Sequence, residues 1–320
     1  MNKSISVVIP NYNGEELLKT NIPYLINALE TSEIKDYEII VSDDASSDNS
    51  VSFIKNNYPQ IILIENKINK GFAGNTNSGI KAAQKDLVFI LNSDVQLTEK
   101  YFIPLLKYFD DDLTFGVMSK IISLTNEKIQ DGAKFPDYYF ANITSTKNYI
   151  VENRKTLFTF FLSGANALVD RKKLIELGYF KEIFNPYYAE DVDLGLTAWK
   201  FGYKLYYDDS TYCKHPNSET IKKESSDKVK LVSKRNKIFL HYLHLNGFEL
   251  FFYLLVTTIK TFLKILFLDI VYAKAFFQFL ISIKKLKEIK TYYNRNKKRN
   301  LRDIKKLILE DIKNDKIKKF

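Results

Sequence analysis

Leu87-Val88-Phe89-Ile90-Leu91-Asn92-Ser93-Asp94-Val95 is the stretch on which the fold of this chain turns. An apolar run of strand length ends abruptly in three polar residues, the last of them an acid. That is how a buried parallel strand delivers a carboxylate to a cleft at its C-terminal end. A lone carboxylate there suits a hard cation such as Mg²⁺ or Mn²⁺, which takes one or two protein carboxylates and leaves its other positions to phosphates. The local alternative is that Ser93 and Asp94 cap the next helix by accepting hydrogen bonds from its exposed amides.

Upstream, Ile5-Ser6-Val7-Val8-Ile9 reads as a first strand ended by Pro10, followed by the turn-rich Asn11-Tyr12-Asn13-Gly14 and a helical stretch near Glu15 to Leu29. Tyr37-Glu38-Ile39-Ile40-Val41 repeats the strand pattern and runs into Ser42-Asp43-Asp44-Ala45-Ser46-Ser47-Asp48, and Ile61-Ile62-Leu63-Ile64 makes a third strand. Strands alternating with helices, with polar loops at the strand ends, predict an α/β fold with a Rossmann-like sheet flanked by helices. Between the third strand and the Leu87 run lies Asn69-Lys70-Gly71-Phe72-Ala73-Gly74-Asn75-Thr76-Asn77-Ser78-Gly79-Ile80. A glycine-rich loop opening a helix lets backbone amides approach a diphosphate; an ordinary glycine turn is the plainer reading. The spacing matches neither the dinucleotide fingerprint nor the Walker loop, which argues against a dehydrogenase or nucleotide kinase.

A chain of 320 residues with 45% hydrophobic composition is long enough for a large core and excludes disorder throughout. Cys213 is the sole cysteine, so no intramolecular disulfide forms, and the N-terminal apolar run is broken by Pro10 before it resembles a signal-peptide core. A reducing cytoplasm is the expected compartment. The net charge of +10 is concentrated from Lys284 to Phe320, where 15 Lys and Arg face 5 Asp and Glu. The rest of the chain is therefore neutral and the basicity belongs to a tail; basic tails bind nucleic acid or anionic membrane, and the segment before this one favours membrane.

Together these pieces resemble the family-two glycosyltransferases of the GT-A fold, especially the bacterial rhamnosyltransferase-like branch. The matching text is Val7 to Gly14, Asp43-Asp44, Asn69 to Ile80, and Asn92-Ser93-Asp94. It continues with Leu162-Ser163-Gly164-Ala165-Asn166-Ala167, then Glu190-Asp191-Val192-Asp193-Leu194 and Gly202-Tyr203, in the family's order and over roughly residues 4–240. The resemblance implies a donor site of Pro10, Tyr12, Asn13, Asp43, Asp44, Gly71, Gly74, Asn75, Asn77, Asn92 and Ser93, with Asp43 and Asp44 near the base and ribose. It puts Asp94 on an Mn²⁺ or Mg²⁺ ion bridging the diphosphate, with His215 as a further ligand. Gly164, Ala165, Glu190 and Arg235 complete the substrate site, and Asp191 is the implied general base.

Four departures qualify the match. Asn92 stands where the family commonly has an acid, so Asp94 is the one carboxylate this strand brings to the ion. Thr197 replaces the arginine that often follows the acidic motif, and Tyr179-Phe180-Lys181-Glu182 replaces the usual Phe-Asp-Glu. No Gln-x-x-Arg-Trp occurs, Trp199 being the only tryptophan, which favours a single-addition enzyme over a processive synthase.

No glycine or proline follows Gly247, so the rest of the chain is expected to run as long helices. Lys260, Lys264, Asp269 and Lys274 interrupt the apolar run of 248–283, which disfavours a membrane-spanning helix. At helical periodicity Lys260, Lys264, Lys274, Gln278 and Lys285 share an arc of roughly 80° opposite a broad Phe/Leu/Ile face, the pattern of an interfacial helix, and Asp269 marks a break into two helices. The alternative is a hairpin packed on the domain or on a second subunit, a homodimer.

The reading divides the chain into residues 1–245, a catalytic domain with a nucleotide-sugar-binding half (1–100) and an acceptor-binding half (101–245), and residues 246–320, an amphipathic and basic helical tail. Every donor motif lies upstream of Gly247, so a chain cut there is expected to stay folded. The expected activity is inverting, metal-dependent transfer of one sugar from a UDP- or dTDP-linked donor to a glycan or lipid-linked acceptor of the bacterial surface. The tail would hold the enzyme peripherally on the anionic inner face of the cell membrane, and no nucleic-acid partner is expected. The alternatives are a nucleotidyltransferase acting on sugar phosphates and a non-catalytic scaffold binding membrane or nucleic acid through the tail.

Overall fold

Along the first strand, β1 (Ile5–Asn11), every residue is buried, with Ile5, Val7 and Ile9 in one hydrophobic cluster and Val8 in another. Side chains alternate across a strand, so apolar residues at both parities mean a sheet covered on both faces. Helix α1 (Glu15–Thr31) covers one face with Leu18, Ile22, Leu25 and Leu29 at helical spacing. The chain continues through β2 (Tyr37–Asp43), α2 (Ser50–Asn57), β3 (Ile62–Glu65), α3 (Gly71–Ala82) and β4 (Leu87–Leu91). α3 lies directly on β1: a Cβ at Gly79 would come within 2.5 Å of Val8 Cγ1. The computed structural model describes residues 3–144, 147–216 and 226–320.

β3, β2, β1 and β4 lie in that order and run parallel. The strand Asn166–Asp170 pairs antiparallel with β4, Thr114–Ser123 pairs antiparallel with it, and Lys204–His215 runs parallel to Thr114–Ser123. Thr156–Phe158 closes the edge. The mixed sheet flanked by helices is the expected architecture. Pro10 is within β1, opposite Ser42, rather than ending it.

The region from Asp110 to Ile150, whose sequence reads as loop and aromatics, contributes the central strand Thr114–Ser123. Its pattern is hidden by Gly116, Ser119 and Lys120. A Cβ at Gly116 would sit 2.6 Å from the Leu168 carbonyl oxygen, and buried Ser119 is bonded to Tyr101 Oη at 2.7 Å. Tight packing demanded residues that a strand reading penalises.

The C-terminal segment differs from a free tail. Helices Gly247–Leu266 and Ile270–Asn296 form a hairpin broken where expected, Asp269 capping the second helix by accepting from the Tyr272 amide at 3.2 Å. The second helix then returns to the domain, burying Ala275, Phe279, Leu286 and Tyr293. Helix Leu301–Asp311 adds Leu301, Ile304 and Ile308 to the main core, and Ile317–Lys319 pairs antiparallel with Asn148–Val151. Arg154 binds Asp311 and Asp315, each at 2.7 Å. Residues 246–320 are thus no separate unit, and a cut after Gly247 would strip the core; the lysines that dominate the composition describe only the outward faces of these elements.

The hairpin's outer part is left uncovered. Phe248, Phe251, Leu255, Ile259 and Phe262 are exposed, and Phe267 and Leu268 at its turn are 81% and 82% exposed. Among the described residues no helix is long and apolar enough to cross a membrane.

Candidate active site

Beyond Leu91 the half-buried Asn92 donates its amide to the Ala165 carbonyl at 3.1 Å, tying the end of β4 to the Gly164-Ala165 turn before the neighbouring strand. The Ser93 carbonyl accepts from Asn21 Nδ2 of α1 at 2.8 Å. Two residues further, Gln96 and Leu97 pair antiparallel with Lys214 and Cys213. That register carries His215 back to the end of β4 and sets its Nε2 3.2 Å from Asp94 Oδ1. Asp94 Oδ1 is buried and accepts no aligned hydrogen bond, so the two groups meet at ion-pair distance without N–H···O geometry. A carboxylate oxygen left without a donor beside an imidazole nitrogen fits a divalent cation shared between them. No group of three or more His, Cys, Asp or Glu that could hold a metal exists among the described residues.

The loops after β1 and β2 are zipped together. Asp43 accepts from Asn11 Nδ2 at 2.9 Å and from Ser46 Oγ at 2.6 Å. Asn13, at φ 50°, gives its amide to Ser46 Oγ and takes the Ser47 amide on its side chain at 2.7 Å. Tyr12 projects from this loop 54% exposed, an open aromatic face beside buried carboxylates. Asn75 spans between the loops, donating to the Asn11 carbonyl at 3.1 Å and accepting from Asn66 at 2.9 Å.

Asp44 behaves differently from the sequence expectation of a nucleotide contact. Its carboxylate accepts the amides of Lys70 and Gly71 at 2.9 and 3.0 Å, capping α3 from outside the helix. Burial pushes this carboxyl upward, opposed by those amides. The next amide, of Phe72, bonds the Pro186 carbonyl. The start of α3 is therefore satisfied by the protein rather than open to a diphosphate, and Gly71 and Gly74 serve close packing: a Cβ on either would press on Asn185, Pro186 or Lys70. Asn77 likewise clamps protein, exchanging bonds with the backbone of Phe180 at 2.9 and 3.1 Å and reaching Glu182 at 3.2 Å.

The helix Glu190–Lys200 begins after two successive left-handed residues, Tyr188 at φ 74° and Ala189 at φ 75°. Such backbone costs about 1–3 kcal/mol per residue and needs support. Asn236 supplies it, donating to the carbonyls of Tyr187 and Tyr188 at 2.9 and 2.8 Å. The kink delivers Glu190 and Asp191 side by side. Burial first, then the neighbouring Asp191 charge, raises the Glu190 carboxyl, whose Oε2 is buried without a partner. Burial also raises Asp191, whose Oδ1 accepts the Val192 amide at 2.8 Å. A desolvated carboxylate that holds its proton more tightly is a stronger base, which is what removing a hydroxyl proton needs.

The family described as Glycosyl transferase family 2 matches residues 6–178, more than half of the chain. The chain belongs to that family. The poly(ribitol-phosphate) beta-glucosyltransferase of Bacillus spizizenii is 32% identical to it over 127 residues, 37% of this chain and 19% of that protein. The GalNAc(5)-diNAcBac-PP-undecaprenol beta-1,3-glucosyltransferase of Campylobacter jejuni is 29% identical over 127 residues, 38% of this chain and 35% of that protein. The chain thus spans well under two thirds of either relative. The crystal structure of GalNAc-T7 with UDP, GalNAc and Mn²⁺ superposes with a TM-score of 0.63 over 77% of this chain and 48% of that one, at 16% identity, a likeness of fold.

Around the residues named from the motifs of this family 2 glycosyltransferase, the structure places others that the motifs did not announce. Lys134 and Asp131, themselves an ion pair, act on Asp191 with opposite signs, the ammonium lowering its pKa and the carboxylate raising it. Both lie in the region read as loop, where nothing in the local pattern marks them. Asn66 joins Asp44, Asn75 and Ser78 into one network. Arg235, expected near the diphosphate, instead donates to the Asn185 carbonyl and to Asn236 Oδ1, so it braces the loop that aims Asp191. Of the charged segment 222–235, residues 222–225 lie outside the described residues.

Proposed function

We propose that this family 2 enzyme is an inverting, metal-dependent glycosyltransferase that adds one sugar from a UDP- or dTDP-linked donor to a glycan or lipid-linked acceptor of the bacterial surface. The observation that carries the reading is the meeting of Asp94 and His215 at 3.2 Å, brought together by strand register from distant parts of the chain and leaving a buried carboxylate oxygen without a donor. Asp94 and His215 are the pair that would hold Mn²⁺ or Mg²⁺, which when bound supplies positive charge against the departing diphosphate. Exposed Tyr12 is placed to stack on a base, with Asp43 and Asn13 shaping the loop beside it. On the other side Asp191 takes the acceptor hydroxyl proton as that oxygen attacks the anomeric carbon from the face opposite the leaving diphosphate, which inverts the configuration. The neighbouring Glu190, kept proton-rich by burial, is suited to donate a hydrogen bond to substrate rather than compete as base. The Bacillus and Campylobacter relatives, named for poly(ribitol-phosphate) and for an undecaprenol-linked glycan, support the acceptor class.

The same reading puts the enzyme on the cytoplasmic face of the membrane, held by the exposed apolar face of the hairpin of helices Gly247–Leu266 and Ile270–Asn296, with lysines around it. The test of the donor site is a thermal-shift panel of nucleotide sugars with Mn²⁺: a matching donor raises the melting temperature of the wild type. Asp94→Ala should abolish the Mn²⁺-dependent part of that shift. Equal donor affinity in the variant with Mn²⁺ present would move the ion site elsewhere.

A further inference from the structure

At the far end of the catalytic helix from Asp191, about 14 Å away at 1.5 Å per residue, lies a separate cavity of about 320 Å³. Its floor is Lys200 and His244, each 1% exposed. The Lys200 ammonium makes one hydrogen bond, to the His244 carbonyl at 3.0 Å, and burial together with Lys290 and Lys297 lowers its pKa to about 7. His244 Nε2 lies 2.8 Å from Asp193 Oδ1, which holds the ring proton on that side. Its Nδ1 is buried with no partner, on a residue that lines the cavity.

Lys297 and Arg302 form the wall, with Arg302 Nη2 on Glu249 Oε1 at 2.6 Å. The first turn of helix Gly247–Leu266 also opens here, and its N-cap Asn246 makes no side-chain cap bond, so its amides add to the positive field. The rim is apolar. Phe140 packs against Phe248 and Phe252 at 6.1 and 5.4 Å between ring centroids, and these exposed rings run on into the uncovered hairpin face.

We infer that this cavity binds the phosphoglycerol-type headgroup of a membrane lipid. Lys200 and Lys297, whose charges repel one another, suit a phosphate, with Arg302 at the wall beside its Glu249 partner. His244 Nδ1 and Glu249 are acceptors and suit hydroxyl donors rather than more anionic oxygen. The aromatic rim has no use for a free polyol phosphate and matches the acyl chains above a headgroup. The inference rests on the membrane reading of the hairpin for the source of the lipid.

The experiment measures binding of dihexanoylphosphatidylglycerol, below its micelle concentration, to the full chain by calorimetry. One lipid per chain is expected, at least about tenfold tighter than dihexanoylphosphatidylcholine or glycerol 1-phosphate, because only the first satisfies cations and rim together. Lys200→Met, and independently the surface pair Lys297→Ala with Arg302→Ala, should each weaken it at least about tenfold. Lys260→Glu with Lys264→Glu and Lys274→Glu, on the hairpin, should leave it unchanged. Equal affinity for the choline lipid, or wild-type binding by the surface pair, overturns the site. Glycerol 1-phosphate binding as tightly as the lipid overturns the lipid source. Cosedimentation with vesicles reads the hairpin separately: a chain that ignores vesicles yet keeps the selective short-chain binding ends the membrane reading and leaves the headgroup site standing.

Discussion

Asp191 sits where its carboxyl is costly to ionise and where one cation, Lys134, keeps ionisation within reach. Its pKa is raised, so the basic form is populated only above a pH higher than for an ordinary aspartate. kcat/KM should therefore rise with pH along a limb displaced upward from the usual carboxylate range. Asp191→Asn should remove that limb and lower turnover by at least about a hundredfold while leaving donor affinity nearly intact, since an amide accepts no proton. Unchanged turnover would remove Asp191 as base. At this scale Asp94, Glu190 and Asp191 stand out in the sequence because carboxylates that end an apolar strand or open a helix suit a cation or a proton transfer, whereas His215 enters only through the family resemblance. Asn77, Asp44 and Arg235, expected in the substrate site, bond to protein instead: a polar side chain that serves a ligand and one that serves a backbone carbonyl or amide look alike in sequence. The structure separates them by what they touch, Phe180, the α3 amides and Asn185.

Among the elements, the hairpin is the one whose sequence pattern and structure agree while its apolar face stays uncovered. Its break at Asp269 follows from the charge on the wrong face, and the exposed Phe251, Ile259 and Phe262 are the apolar face expected from periodicity. Lys260→Glu, Lys264→Glu and Lys274→Glu together should weaken binding to anionic vesicles more than to neutral ones, and high salt should mimic the change in the wild type. Sedimentation of the full-length protein with vesicles checks it. If the protein ignores anionic vesicles at low salt and instead sediments as a dimer, the face is a subunit contact. The strand Thr114–Ser123 makes the opposite case, an element at the centre of the sheet whose small and charged residues hid it. Burial on both sides was decided by neighbours distant in sequence, Leu162 and Leu168 against Gly116.

For the whole molecule, the C-terminal helices are part of the fold. Tyr293 donates to the buried carboxylate of Asp193 at 2.7 Å, two residues from the proposed base, and the His244 ring holds the other oxygen. Truncation after Gly247 should therefore give an aggregating chain without a cooperative melting transition, because it uncovers the core side of helices Glu190–Lys200 and Ser226–His244 and leaves Asp193 half-satisfied. A monomeric, cooperatively melting truncated domain would show that the return of the chain is dispensable. Residue order alone determined the parallel strand-and-helix half, the acid at the end of β4 and the amphipathic hairpin, since each rests on local periodicity or on polar residues ending an apolar run. Only the tertiary structure decided that Asp94 meets His215, that Asp44 caps α3, and that the basic C-terminal segment closes the core behind the catalytic helix. Those are contacts between residues far apart in the chain, and their energy depends on strand register and on which face is buried, neither of which any single stretch encodes.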